Sequence, residues 1–303
     1  MIRPKIVGIV NITTDSFSDG GKFIEPKTAI EHAKKLLRDD ADIIELSGAS
    51  SNPHSEPVRA EMEIERIQAV LRSLDCPISI DATKPEVQRF ALSKKVAYIN
   101  DIRGFPEKSM YDELASSDAK LIVMHFISDL SRRSKAKADL DKAMRVPKSA
   151  AAVFDSIIRF FDTRLPQLQA AGVAQDRIII DPGMGFFLAS NPEPSLAVLA
   201  HISDFKKRYG LPVMISVSRK SFLRNLAPLE NRSATGVAAA AWGGFSLTGR
   251  TKSDDVDIQS RTLAAELFAA QQGVDYIRTH DVRALHQALQ TLLAIDSAKE
   301  YPF

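Results

Sequence analysis

The sequence has one cysteine, no long apolar run and almost no excess of either charge. Cys76 has no partner for an internal disulfide, and no Cys-x-x-Cys pair is present to bind zinc. No run reaches the roughly 18 apolar residues that a membrane span requires. The net charge of +2 is too small to favour general attraction to nucleic acid. The first residues show no signal-peptide pattern, so we expect a cytoplasmic protein with neither membrane nor nucleic acid as a partner.

Three common catalytic signatures are also missing. The sequence contains no P-loop, no Gly-x-Gly-x-x-Gly fingerprint and no His-Glu-x-x-His motif. The sequence therefore gives no motif evidence for a nucleotide kinase, a Rossmann dehydrogenase or a zinc protease.

Short apolar runs alternate with amphipathic segments along almost the whole chain. We predict strands at 5–11, 42–46, 78–81, 97–101, 121–125, 177–181, 213–217 and 276–279. Helical spacing of apolar residues predicts helices at 28–38, 61–74, 152–171 and 261–272. Eight strand–helix units predict one α/β domain over residues 1–303, a (β/α)8 TIM barrel. A doubly wound open sheet uses the same units and is the alternative.

Two segments interrupt the alternation. Residues 128–149 are polar and basic with some acidic residues, which favours a solvated, mobile loop over a site for polyanions. Residues 228–258 have no place in a minimal barrel. We interpret them as an atypical insertion, which leaves a surface excursion, an interface element and a lid as alternatives.

Polar residues end nearly every predicted strand, where a barrel of this kind has its active site. They include Asn11, Asp81, Asn100, Asp101, His125, Asp181, Lys220, Arg278 and His280. A single Asp or Asn in such a place often only caps a helix or satisfies a turn. A polar residue at almost every strand end indicates an enzyme-type pocket.

The residue types indicate the ligand's chemistry. Carboxylates match a guanidine-like N–H edge, and a lysine suits a carbonyl oxygen or ring nitrogen. Asp81, Asn100, Asp181 and Lys220 thus predict a site for a flat heterocycle, and Met124, Phe126 and Phe186 predict its apolar floor.

The first and last strands are neighbours in a closed barrel, which brings Asn11 near Arg278 and His280. These three residues predict an anion pocket in which the Asn11 carbonyl oxygen could hold a hard cation. Only two of the six histidines, His125 and His280, end predicted strands. An apolar residue follows His125, which favours a structural role, so His280 is the better functional candidate.

Several motifs resemble those of dihydropteroate synthases. GIVNITTDSFSDGG at 8–21 is similar to the opening signature of that family. Further matches follow in family order: ND at 100–101, DPGMGF at 181–186, SRKS at 218–221 and RTH at 278–280. The resemblance implies a folate-synthesis enzyme in which 4-aminobenzoate displaces pyrophosphate from 6-hydroxymethyl-7,8-dihydropterin pyrophosphate. It also implies a homodimer.

The resemblance carries roles to particular positions. The pterin would contact Asp81, Asn100, Met124, Asp181, Phe186, Lys220 and Arg278. The pyrophosphate would contact Asn11, Arg278 and His280, and Asn11 would coordinate Mg²⁺. The 4-aminobenzoate would contact Ser51, Pro53, Phe186, Phe187 and Ser221. Catalysis would depend on Lys220, Arg278 and His280, with ionisation preceding attack by the amine and no nucleophilic side chain required.

Two segments depart from the usual family pattern. The second loop reads SGASSNP at 47–53 instead of Gly-Gly-Glu-Ser-Thr-Arg-Pro, and GFFL stands at 185–188. Both features are similar to the sulfonamide-insensitive Sul-type branch, which leads to the hypothesis that Phe187 excludes sulfonamides while admitting 4-aminobenzoate. Two alternatives are a pterin-binding methyltransferase that serves a corrinoid and a catalytically inactive pterin- or folate-binding module.

Overall fold

The computed structural model describes residues 2–13, 26–50, 55–126, 148–226 and 252–299. Eight parallel strands form one sheet. They are β1 (Lys5–Asn11), β2 (Ile43–Ser47), β3 (Ile78–Asp81), β4 (Tyr98–Asp101), β5 (Lys120–Met124), β6 (Ile178–Asp181), β7 (Met214–Ile215) and β8 (Tyr276–Thr279). All eight predicted strands are present, with end shifts of one or two residues and a shorter β7.

The strands pair in sequence order, and β1 also pairs with β8. A parallel bridge between Ile180 and Val213, with a 2.9 Å hydrogen bond from the Ile180 N–H to the Pro212 carbonyl, connects β6 to β7. The ring is thereby closed. This confirms the (β/α)8 barrel and excludes the doubly wound sheet, whose strand order reverses at a switch point.

Helices cover the outside of the barrel. They are α1 (Pro26–Arg38), α2 (Ala60–Leu71), α3 (Pro85–Ser93), α4 (Tyr111–Ala115), α5 (Ala150–Ala170), α6 (Glu193–Ala200), α7 (Ile202–Tyr209), α8 (Ser221–Arg224), α9 (Lys252–Gln271) and α10 (Val282–Ala298). Short 3₁₀ turns lie at Lys108–Met110, Gln175–Arg177 and Gly185–Phe187. In α1 the buried residues Ala29, Ala33 and Leu36 follow helical spacing, so one face packs on the strands.

Two predictions fall mainly outside the described residues. Of the segment predicted as a mobile loop, the structure describes only 148–149, immediately before α5. Of the predicted insertion at 228–258, it describes only 252–258, the first turns of α9. Among the helices that are described, none combines the length and the apolar character that a membrane crossing needs.

The barrel has a separate apolar core on its inside, near the N-terminal ends of the strands. Seven side chains form it: Val7, Ile43, Tyr98, Ile122, Ile179, Met214 and Tyr276. The Tyr98 and Tyr276 rings meet edge to face with centroids 6.1 Å apart. Because side chains two residues apart on a strand face the same side, the next inward-facing layer lies toward the C-terminal ends.

Candidate active site

That next layer is largely polar. Two residues beyond each member of the inner core stand Ile9, Glu45, Asn100, Met124, Asp181, Ser216 and Arg278. Asp81 on β3 is paired in register with Asn100 on β4. Four of the predicted site residues, Asp81, Asn100, Asp181 and Arg278, thus lie inside the barrel at the end where barrel enzymes bind their substrates.

Glu45 is at the centre of the layer, although the sequence analysis did not identify it. Its side chain is 0% exposed and accepts hydrogen bonds from Ser79 Oγ at 2.9 Å and Asn100 Nδ2 at 3.1 Å. Arg278 Nε also donates to it. A charged residue inside an otherwise apolar run was the available sequence signal, since a carboxylate is buried only where it is paired.

Arg278 connects Glu45 to Asp81, whose Oδ2 lies 3.6 Å from Arg278 Nη2. Burial lowers the pKa of Arg278, but Glu45 and Asp81 together raise it above its ordinary value, so the side chain stays cationic. Burial raises the pKa of Asp81 to about 7, repulsion from Glu45 adds to this increase, and Arg278 opposes it. Negative charge at Asp81 therefore depends on Arg278.

Asn100 presents an acceptor in this layer. Since its Nδ2 donates to Glu45, its Oδ1 is left as an acceptor, and this buried atom has no hydrogen-bond partner among the described residues. A buried acceptor without a donor costs about 1–3 kcal/mol. Asp81, Asn100 and Asp181 therefore offer three acceptors that are suited to N–H donors of a ligand.

Asp181 begins a turn that requires glycine at two positions. The Gly183 N–H donates to Asp181 Oδ1 at 2.7 Å, and the φ of Gly183 is +79°. A Cβ atom on Gly183 would lie 2.7 Å from the His125 carbonyl oxygen, and one on Gly185 (φ +65°) would lie 3.2 Å from Lys220 Cδ. The turn can therefore pack closely against β5 and Lys220. Burial raises the pKa of Asp181 to about 6, although Gly183 and Lys220 oppose the increase.

Lys220 lies over two aromatic rings. Its Nζ is 4.5 Å from the ring centroid of Phe187 and 5.6 Å from that of Phe186. Phe187 also meets Phe126 edge to face at 5.7 Å. Two members of the predicted apolar floor, Phe126 and Phe186, thus lie against Phe187, the more deeply buried ring beside Lys220. Burial lowers the pKa of Lys220 to about 8, with a further contribution from Arg278.

His280 lies two residues beyond Arg278 and contacts the start of the SRKS segment. Its Nδ1 is 2.9 Å from Ser218 Oγ. Burial lowers the pKa of His280 well below its ordinary value, and the positive charges of Arg219 and Arg278 add to this effect. The ring is therefore neutral at physiological pH.

Two polar residues at strand ends do not belong to the layer. Asp101 faces away from the barrel interior and accepts hydrogen bonds from Gln88 Nε2 at 3.0 Å and Arg103 N at 2.8 Å. His125 is fully buried between the Pro182 carbonyl at 3.2 Å and Ser156 Oγ at 3.1 Å, contacts that agree with the structural role that the sequence favoured. Burial lowers the pKa of His125 to about 3.

The remaining predicted residues lie at the barrel mouth or outside the described chain. Asn11 ends β1, half-buried and paired in register with Ser47. Ser221 is the exposed first residue of the short helix α8. Ser51 and Pro53 lie outside the described residues. Of the predicted 4-aminobenzoate contacts, the structure therefore describes only Phe186, Phe187 and Ser221.

Glu266 on α9 is a buried acid behind β8. Burial raises its pKa to about 8, Asp281 adds to the increase, and a hydrogen bond with Thr279 and the charge of Arg219 oppose it. Between about pH 4.3, the ordinary pKa of a glutamate, and pH 8, the folded protein keeps a proton that the unfolded chain has lost. The stability of the fold therefore falls as pH rises through this window.

Glu266→Gln is expected to remove part of this pH dependence. The variant should match the wild type near pH 4.5 and have a higher Tm at pH 8.5, by about 2–4 °C for each kcal/mol by which the ionised glutamate destabilises the wild type. Thermal unfolding of both proteins across this range checks the prediction. A constant difference between them at all pH values would contradict it.

The fold and the site define a barrel enzyme whose inner polar layer presents acceptors suited to a flat heterocycle rich in N–H donors. Residues 7–280 match the family model described as pterin binding enzyme. Two relatives from Escherichia coli extend the match. Dihydropteroate synthase type-2 is 45% identical over 96% of this chain and 95% of its own, and type-3 is 43% identical over 96% and 99%. The chain belongs to the pterin-binding enzyme family, and within it to the dihydropteroate synthases.

Solved structures agree with this placement. Dihydropteroate synthase from Clostridium difficile, crystallised with pteroic acid, has a TM-score of 0.72 and 30% identity over 97% of both chains. Dihydropteroate synthase from Anaplasma phagocytophilum, with bound 6-hydroxymethylpterin-monophosphate, has a TM-score of 0.73 and 28% identity over 97% of this chain and all of its own. The type-2 and type-3 relatives belong to the Sul-type branch, which the sequence resembles at residues 47–53 and 185–188.

Proposed function

We propose that this chain condenses 6-hydroxymethyl-7,8-dihydropterin pyrophosphate with 4-aminobenzoate and releases 7,8-dihydropteroate and pyrophosphate. The observation that carries the proposal is the set of three acceptors inside the barrel, on the buried residues Asn100 and Asp181 and on the partly buried Asp81. The pyrimidine side of a pterin presents an amino group and ring N–H groups, which are the donors that such a set requires. Lys220 would donate to a ring carbonyl oxygen or ring nitrogen.

The leaving group would lie at the barrel mouth, against Asn11, Arg278 and His280. The cationic Arg278 and an N–H of the neutral His280 can both stabilise charge that develops on the pyrophosphate. Loss of pyrophosphate breaks the bond between the pterin methylene and a phosphate oxygen, and the electron-rich ring stabilises the resulting cation. The amine of 4-aminobenzoate then forms the new C–N bond and loses a proton. No protein nucleophile is needed.

Magnesium fits this site as a companion of the substrate. Among the described residues, no group of three or more His, Cys, Asp or Glu side chains could hold a metal ion. The Asn11 amide oxygen is one neutral ligand, and Mg²⁺ commonly takes its other ligands from substrate phosphates and water. Bound there, Mg²⁺ would neutralise part of the pyrophosphate charge.

Phe187 supports the proposal that the enzyme is insensitive to sulfonamides. It contacts Phe126, Phe186 and Lys220, so its ring takes up space beside the proposed pterin site. A sulfonamide is bulkier than the 4-aminobenzoate that it imitates. A rigid ring at this position would therefore penalise the drug more than the substrate.

Phe187→Gly is expected to increase inhibition by sulfonamides by about tenfold or more, with a smaller change in KM for 4-aminobenzoate. Inhibition constants for the wild type, Phe187→Gly and Phe187→Leu give the comparison. Phe154→Leu is the matched control, because Phe154 stacks on Phe205 on the outside of the barrel. A Phe187→Gly enzyme that stayed insensitive would rule the hypothesis out.

Pyrophosphate release tests the proposed reaction. Purified protein with dihydropterin pyrophosphate and Mg²⁺ should release pyrophosphate only when 4-aminobenzoate is present. Binding of the pterin without release would favour the inactive binding module. Methyl transfer from methyltetrahydrofolate to a corrinoid, with no pyrophosphate release, would favour the methyltransferase.

The family resemblance also supports a homodimer as the working assembly. Light scattering on the purified protein should then give twice the 33.3 kDa chain mass. A mass of one chain at assay concentration would contradict this assembly.

A further inference from the structure

Ser218 has three hydrogen-bond contacts with the end of β8 and the residue that follows it. The side chain is buried, in the segment that joins β7 to α8. Its Oγ lies 2.9 Å from His280 Nδ1, 3.2 Å from the His280 backbone nitrogen and 3.5 Å from Thr279 Oγ1. The hydroxyl group therefore faces a ring nitrogen that can accept or donate a hydrogen bond, a backbone N–H group and a second hydroxyl group.

The distances around Ser218 Oγ indicate the direction of the bond to the imidazole. A serine hydroxyl has one hydrogen and two lone pairs. The backbone N–H of His280 donates to one lone pair. Of the two other neighbours, His280 Nδ1 lies closer at 2.9 Å than Thr279 Oγ1 at 3.5 Å. The one hydrogen of Ser218 is therefore directed to His280 Nδ1, which must be unprotonated to accept it.

Thr279 is the more distant neighbour of Ser218, and its hydroxyl group has another partner. The backbone N–H of Asp281 donates to Thr279 Oγ1 at 3.3 Å. A side-chain hydrogen bond with Thr279 lowers the pKa of Glu266 on α9, which is the effect of a hydroxyl group that donates to the carboxyl group. The hydrogen of Thr279 is therefore directed to Glu266.

We propose that Ser218 is a positioning residue that holds His280 in the tautomer protonated on Nε2, so that Nε2–H donates to an oxygen of the pyrophosphate. This inference rests on the proposed function. A neutral imidazole has one N–H group. With the proton on Nδ1 instead, Nε2 would direct a lone pair at an anionic oxygen and weaken binding of the leaving group.

Ring ¹⁵N NMR spectra of the full-length protein test the proposal without any substrate. The wild type should show His280 as the Nε2–H tautomer, assigned by loss of its signals in His280→Gln. Ser218→Ala should give a mixture of tautomers and lower kcat by about tenfold, the scale of losing one group that orients a functional histidine.

The chain offers a matched control in a second serine–histidine pair. Ser156→Ala removes the 3.1 Å contact with His125 Nε2, which lies outside the active site. It should change the His125 signals and leave those of His280, and kcat, as in the wild type. Ser218→Thr keeps the hydroxyl and should retain both the tautomer and most of the activity.

Three results would overturn the proposal. The wild type could show His280 protonated on Nδ1, or Ser218→Ala could leave the tautomer unchanged. Alternatively, the tautomer could shift as expected while kcat stays at the wild-type value, which would show that the tautomer of His280 does not affect departure of the pyrophosphate. Lack of turnover in the wild type would be a failure of the proposed function instead, recognisable because the NMR result on the free protein does not depend on it.

Discussion

Lys220→Met is expected to lower kcat/KM for dihydropterin pyrophosphate by about 10²–10³-fold, the usual loss when one preorganised donor is removed from a buried site. Lys220 Nζ lies 4.5 Å from the centroid of the Phe187 ring, near enough to Asp181 and Asp81 for their charges to raise the pKa of Lys220 against the effect of burial. Methionine keeps much of the side-chain volume and removes the charge. Steady-state kinetics of the variant and the wild type measure the effect.

Lys206→Met is the control for this substitution. Lys206 forms an ion pair, 2.7 Å from Asp275, which directly precedes β8 at the opposite end of the barrel. Its replacement should leave kcat/KM unchanged. A Lys220→Met enzyme as active as Lys206→Met would show that Lys220 makes no important contact with the substrate.

The pH profile provides a second measurement on the same residue. Lys220 has a pKa lowered to about 8, so its charge is lost as pH rises through that value. Asp181 and Asp81 have pKa values raised to about 6 and about 7, and each gains its negative charge as pH rises through its own value. The kcat/KM profile of the wild type should therefore be bell-shaped. Lys220→Arg should lose the alkaline decline, since arginine stays charged.

Glu45→Gln is expected to lower kcat/KM by about 100-fold and to destabilise the protein by about 3–5 kcal/mol, the usual cost of leaving one member of a buried ion pair without its partner. The substitution leaves Arg278 without its closest counter-charge and gives Asn100 a neutral acceptor. Arg278 would then turn toward Asp81 and Asp181, which competes with the binding of the pterin. Calorimetry of pterin binding and thermal unfolding separate the two effects.

Glu63→Gln distinguishes a loss of the site from a general loss of stability. Glu63 is 2% exposed and pairs with Lys84 at 2.6 Å, outside the polar layer. It should lower Tm and leave the pterin affinity intact. Equal losses of pterin affinity in both variants would contradict the role assigned to Glu45.

The fold was predictable because each parallel strand is a continuous apolar run that ends at a polar residue. Such strands are buried on both faces, so the sequence does not indicate which residues face the barrel interior. Asp101 and His125 therefore appeared as candidates alongside Asn100 and Met124, although they face outward. In the structure, the inner apolar core fixes the inward-facing residues of the seven strands that contribute to it, and the register with β4 fixes those of β3.

Glu45 and Ser218 illustrate why the rest of the site was not predicted. Glu45 lies inside β2 and not at its end, and its partner Arg278 is on the last strand of the barrel. Ser218 belongs to a motif that was identified, but its role depends on a contact with His280 across the junction of β7 and β8. Contacts between residues far apart in the chain leave no local pattern in a single sequence.

A crystal structure of the protein with a non-hydrolysable dihydropterin pyrophosphate analogue and Mg²⁺ is the most direct test of the polar layer as the pterin site. We expect the amino and ring N–H groups to lie within hydrogen-bond distance of Asp81, Asp181 and Asn100 Oδ1, with the pyrophosphate at Arg278 and His280. A pterin bound outside the barrel, or one with its N–H edge directed away from these three acceptors, would contradict the assignment.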